Sequence, residues 1–229
     1  SVENTKIQQT PSGEWISEFV VPMYVCPSEP GERVFKPDPN GRGAAMFSYT
    51  GSLGSQQRKN NPKFNCGALA EFNRYIPETA PPTPAKDRLP FPIPRWEDND
   101  QYSGVFTRFA FNTKLKHIKD GLSKTIFFGE VRPSCSIHAR NGWLSDNNGV
   151  GLVTTSIPIN YDTCNFADDA PPCNSAKNWS SELGFKSAHE GGAHFVFGDN
   201  SAHFLTEDID RSTFQMLGDK DDGLVMGEY

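Results

Sequence analysis

Proline sets the tightest limit on what this chain can fold into. Seven prolines fall between Pro77 and Pro94, and the 229 residues carry 18 prolines and 20 glycines in all. Proline fixes its own φ and donates no backbone hydrogen bond, so it is expelled from helix interiors and from central strands. Residues 56–101 therefore read as a long surface excursion, held down at most by Phe91, Ile93 and Trp96. A second excursion, 133–182, is rich in Asn, Asp, Pro and Ser, with one short apolar run at 149–159. The proline and glycine content favours turns and short strands over long helices. Hydrophobic residues make up 36% and aromatic ones 12%, which implies a modest core built on a few large rings.

The remaining segments alternate as strands do. Residues 19–26 read as a strand that reaches Cys26 and closes in a Pro/Gly turn. AMFSYTGSLGS (45–55) and YSGVFTRFAF (102–111) alternate, and TIFFGEV (125–131) is a β run after the turn signal at Asp120–Gly121. AHFVF and SAHFL flank GDN (198–200), a hairpin signature. DIDRSTFQMLG (208–218) carries an Asp N-cap and apolar residues three apart, so it reads as a short helix stopped by Gly218. Phenylalanines in these strands are expected to pack the core. No repeat period is present. The order points to one domain over 1–229, of the α+β class and mainly antiparallel β.

A net charge of −6 and an isoelectric point near 5.4 disfavour nucleic acid as a partner. No stretch is long and apolar enough for a membrane helix. The chain opens at Ser1 with neither Met nor a signal peptide, and reads as trimmed or processed. The five cysteines are Cys26, Cys66, Cys135, Cys164 and Cys173. None form a CxxC pair, which disfavours a zinc ribbon. An exported protein with disulfides is the expectation, Cys164–Cys173 first because the segment between them is loop-like, Cys26–Cys66 second.

Six blocks, CPSEPG (26–31), SYTGSLGS (48–55), GVF (104–106), HIKDGLSKTIFFGE (117–130), FKSAHEGGAHFVFGDNSAHFL (185–205) and GLVMGE (223–228), together with Trp143, resemble the pseudopilin-like domain of unknown function abundant in Planctomycetes and related bacteria. The family's signature is His, nine residues, then Asp-Gly. Here His189 leads to Asp199, followed by Asn200 where Gly is usual. DGLSKT stands where the family has DGTSNT. The resemblance implies a pilin-like globular head whose apolar N-terminal helix lies outside this sequence. It implies an extracytoplasmic position, membrane contact only through that helix, and partners among similar subunits or envelope components. The role it implies is structural, with no catalysis. A carbohydrate or envelope-ligand binding module is the alternative, and an exported hydrolase the third.

Residue types give the site expectations. HEGGAHF spaces His189 and His194 by five with two glycines between, which does not suit the HExxH helix of a zinc protease. His189 and Asp199 with a neighbour are weak metal candidates; the structural alternative has His189 bonding backbone near the hairpin and Asp199 capping its own turn. Gly191 and Gly192 lead into a strand, so they serve conformation or close approach and not phosphate. Asn200 suits a left-handed turn position. Glu130 is a candidate partner for an Arg or a backbone amide. No cofactor is implied. Calcium at an acidic loop, Asp146–Asn148 or Asp219, Asp221 and Asp222, is a lesser expectation. Ser187 beside His189 does not by itself suggest a triad. Trp96, Trp143 and Trp179 either staple loops or line a sugar surface.

Overall fold

The computed structural model describes residues 8–36, 42–55, 103–106, 113–145, 152–179 and 181–224. Among the described residues, seven short strands form two sheets. Val34–Phe35 (β1) pairs with Ala44–Ala45 (β2) in a small antiparallel ribbon. The main sheet holds Tyr49–Ser52 (β3), Ile126–Glu130 (β4), Leu152–Val153 (β5), Gly192–Phe197 (β6) and Ala202–Thr206 (β7). Its order is β5-β3-β4-β6-β7; β5 runs parallel to β3 and every other pairing is antiparallel. Two short helices among the described residues, Ile137–Arg140 (α1) and Arg211–Gly218 (α2), belong to an α+β fold that is mainly β.

The hairpin forms where the alternation places it. Side chains of a strand alternate between faces, so Ala193, Phe195, Phe197 and Leu205 point one way and are buried. Against them pack Phe185 and, from α2, Phe214 and Leu217. The Phe185 and Phe195 rings meet edge to face at 5.0 Å, and Phe195 meets Phe214 at 5.6 Å, the arrangement the ring quadrupole favours. Asp210 caps α2 by accepting the Thr213 N–H at 2.8 Å. The turn after β6 puts Asn200 at φ 69°, the left-handed conformation that Asn tolerates.

The other face of the same sheet is only partly covered. Tyr49 lies opposite Glu130, His194 opposite Phe204, and Phe128 between Gly51 and Val196. Tyr49, Phe128 and Phe204 are 41%, 42% and 43% exposed. Core packing thus holds for Phe195 and Phe197 but not for Phe128 and Phe204, because the strand period sends alternate rings outward. Phe109 and Phe111 lie outside the described residues.

Four expectations need correction. Residues 19–26 are not a strand: 3-10 turns at Ile16–Glu18 and Pro22–Tyr24 replace it, since Pro22 cannot donate to a ladder. The segment 133–182 is no loose excursion, because it supplies α1, β5 and the core residues Ala139, Val153, Ile157 and Ile159. The pairing Cys164–Cys173 is replaced by Cys135–Cys164, which closes over 29 positions; Cys173 is disulfide-bonded elsewhere. Cys26 is a free, buried thiol, so the expected bridge to Cys66 does not form there; Cys66 itself lies outside the described residues, as do the excursion 56–101, Trp96 and Asp146–Asn148.

Asp120 and Gly121 tie down the C-terminal segment. Both Asp120 carboxylate oxygens accept backbone N–H groups, from Asp222 at 2.7 Å and Gly223 at 3.1 Å, while Gly121 takes φ +102°. The acidic run considered for calcium is internally engaged: buried Asp219 accepts from the Ser55 N–H and hydroxyl, Asp221 pairs with Lys119, and Asp222 accepts the Leu224 N–H.

Candidate functional site

At one end of the outer face the structure gathers chemically reactive side chains. Cys26 follows the Pro22–Tyr24 turn, and its carbonyl accepts the Glu29 N–H at 3.1 Å. Glu29 in turn takes hydrogen bonds from Arg132 Nε at 3.0 Å and Ser134 Oγ at 2.9 Å. This clamp fastens the CPSE turn to the chain just after β4 and lays Cys26 over Glu130, the last residue of β4.

His189 arrives from the other side. Asn160 accepts the Ser187 N–H, and the Ser187 hydroxyl accepts the His189 N–H. Gly191, at φ +77°, then turns the chain into β6, and the Gly192 Cα runs so near Leu205 O that a Cβ would stand 2.3 Å from it. The glycines therefore set conformation and close approach.

The result is a convergence on one ring nitrogen. His189 Nε2 lies 3.6 Å from Cys26 Sγ and 3.6 Å from Glu130 Oε1. All three donor atoms fall within 4.8 Å of one another. Glu130 is orientated by its other oxygen: Oε2 accepts the His194 N–H at 2.7 Å and lies 3.3 Å from His194 Nδ1. The backbone-amide role expected of Glu130 is therefore present. The His194 ring stands edge-on to His189 at 4.9 Å and to Phe204 at 5.0 Å. Burial first, then the neighbouring Cys26 and Glu130, raise the Tyr49 pKa above the ordinary phenol value.

His189 and Asp199 do not meet. They flank the six residues of β6 at opposite ends, a span of ~20 Å at the usual strand rise. Nor does His189 bond the hairpin backbone: its ring is turned to Cys26 and Glu130. The Asp199 carboxylate fastens the turn without His189, accepting the Ser201 N–H at 2.9 Å and hydroxyl at 2.6 Å. Those two bonds hold its carboxyl below the usual aspartate range. A depressed carboxyl contributes stability above its unfolded pKa and loses it as pH falls through the folded one. Asp199→Ala is thus expected to lower the Tm slightly at neutral pH, and the difference from wild type should vanish in acid; thermal melts across pH check it.

A second buried cluster has the residue types of a hydrolase triad. Ser136, His138 and Glu182 are 5%, 2% and 1% exposed. Ser136 donates to one Glu182 oxygen and His138 Nδ1 bonds the other. The carboxylate thus stands between hydroxyl and imidazole, leaving the serine without the base a nucleophile needs. Trp179 closes over His138 edge to face.

The chain matches the family model described as a protein of unknown function, DUF1559, over residues 2–212. It belongs to that family. No curated protein and no solved structure matches it. Cys26, Glu130 and His189 each come from a different block of the sequence pattern. Local sequence does not join them: Cys26 suits a disulfide equally well, and the terminus of a strand at Glu130 says nothing of what lies above it.

Proposed function

We propose that this member of the DUF1559 family is the extracytoplasmic head of a pseudopilin-like subunit, with a structural role in an envelope assembly. The observation that carries the reading is the sheet with two unlike faces. Its inner face is sealed by Phe185, Phe195 and Phe214, so no further element is needed there. Its outer face holds Tyr49, Phe128 and Phe204 more than 40% exposed, on three strands, β3, β4 and β7, where a helix could lie across them. Exposed apolar rows of this kind mark interaction surfaces. The apolar helix that the resemblance places before this segment is the expected occupant. The Cys135–Cys164 bridge supports an oxidising compartment. The wiring of Ser136, His138 and Glu182 supports a role without hydrolysis. Trp143 and Trp179 are half-buried and engaged, Trp143 Nε1 donating to Phe19 O at 2.9 Å, which supports loop-stapling over a sugar platform.

One observation favours the binding module as a second reading. A groove of about 300 Å³ on the outer face is lined by Tyr24, Tyr49, Phe106, Phe128 and Trp143, and aromatic walls suit sugar rings.

A photocrosslinking amino acid at Phe128 or Phe204 in the full-length protein, produced in its native host, tests both. Crosslinks to an apolar helix of the same protein or of a similar subunit are expected. Crosslinks to glycan alone would replace the assembly role with ligand binding, and no crosslink at either position would contradict both.

A further inference from the structure

We infer that Cys26, Glu130 and His189 form a binding site for a zinc-class transition metal ion, with three protein donors and a fourth position open to solvent. The distances come first. Donors ~2.0–2.3 Å from a tetrahedral ion stand roughly 3.3–3.8 Å from each other. The Cys26–His189 and His189–Glu130 separations are both 3.6 Å. For His189–Glu130 that is too long for a good N–H···O hydrogen bond; the Cys26–His189 distance also suits an N–H···S contact, and both fall within the edge range of a coordination tetrahedron.

The direction of approach decides between metal and nucleophile. A Cys-His-acid relay uses both ring nitrogens, one facing the thiol and the other the carboxylate. Here Sγ and Oε1 both address Nε2 of His189. A single proton on that nitrogen can serve only one of them, whereas an ion between the three atoms serves all. Thiolate, imidazole and carboxylate together suit Zn2+ and not calcium or magnesium, which prefer all-oxygen sets.

The surroundings fit the same role. The His194 N–H holds Glu130 by its other oxygen, leaving Oε1 to the ion. Such outer contacts fix ligand orientation. Cys26 and Glu130 are buried at 4% and 2%, while the His189 side chain is 35% exposed. Solvent or an exogenous ligand therefore reaches the ion from the His189 side. The ion would pin together the CPSE turn, the end of β4 and the loop before β6. These segments are far apart in sequence.

Titration of the metal-stripped protein with Co2+, then Zn2+, tests the site. The expected result is one ion per chain, a cobalt–thiolate charge-transfer band that zinc abolishes, and slower iodoacetamide modification of Cys26 when zinc is present. Losing an outer-shell contact already costs ~10–100-fold in affinity, so Cys26→Ser and His189→Ala should each weaken zinc binding by at least ~100-fold, while His203→Ala leaves it unchanged. His189→Ala, checked for folding by circular dichroism, decides the matter if Cys26→Ser does not fold. The wild-type spectrum needs no variant. No thiolate band, or zinc binding equal in wild type and both variants, would overturn the site. Fast alkylation of Cys26 indifferent to zinc would also overturn it and point to a nucleophilic thiol.

Discussion

Glu182→Ala is expected to cost about 3–5 kcal/mol, the usual cost of removing one partner from a buried charged pair. For a chain of this size that is a fall in Tm of roughly 10 °C. The carboxylate is the hub of a buried network. Its loss leaves the Ser136 hydroxyl and His138 Nδ1 without their acceptor. Ser136 also caps α1 by accepting the Ala139 N–H at 3.1 Å, so the defect reaches the helix. Lys186, fully buried, loses nearby negative charge; its ammonium then keeps only the carbonyls of Glu182 and Gly184, at 3.0 and 3.4 Å. Glu182→Gln retains one acceptor and should fall between wild type and alanine.

The same cluster predicts a pH dependence. Burial lowers the pKa of Lys186 to about 8, against the opposing pull of Glu182 and Asp162. The folded chain therefore sheds this proton before the unfolded chain does. More protons bound in the unfolded state means that stability rises with pH. The Lys186 contribution should rise from about pH 8 up to the ordinary lysine value of 10.5. In Glu182→Gln the rise should begin at lower pH, because the carboxylate no longer supports the ammonium. Chemical denaturation across that range measures both slopes.

Gly104→Ala is expected to be as damaging for a different reason. The GVF segment crosses the end of β3 backbone to backbone: the Gly104 N–H donates to Leu53 O at 3.0 Å and the Phe106 N–H to Ser52 O at 3.1 Å. A Cβ on Gly104 would lie 2.2 Å from Gly54 N and from the Leu53 carbonyl carbon. Backbone atoms cannot swing aside as a side chain does, so the two segments must separate and both hydrogen bonds go with them. Overpacking costs ~1–3 kcal/mol and sometimes more, and this site belongs at the upper end. Gly54→Ala meets the same wall, and its φ of +91° adds backbone strain. Equilibrium unfolding of Gly104→Ala checks the size, and a change under 1 kcal/mol would contradict the close crossing.

What could be read from the chain beforehand was the part that local chemistry determines. The hairpin, its Asp199–Asn200 turn and the Asp210 cap each depend on neighbours a few residues apart, and all are present. The run TIFFGE becomes β4 for the same reason. Failures came where the partner is distant. Leu152–Val153 is a strand only because Gly51 and Ser52 lie beside it. Cys135 could not be matched to Cys164 by spacing, since cysteine positions do not determine connectivity. The Ser136–Glu182–His138 network lay inside a segment whose polar composition reads as loop, although burial makes it core. The pattern His189-x9-Asp199 suggested a pair, yet strand geometry drives its two ends apart and turns the imidazole to a cysteine 163 positions away.

The account rests on the outer face of the sheet being the surface at which this domain meets another element. Maleimide labelling of Phe204→Cys measures that directly, comparing the isolated domain with the full-length protein in intact cells opened only to the reagent. With Cys26 protection controlled by a Phe204 wild-type sample, the account predicts rapid labelling in the isolated domain and strong protection in the full-length protein. Equal labelling rates in the two would mean that Tyr49, Phe128 and Phe204 face solvent in the working molecule, and would contradict it.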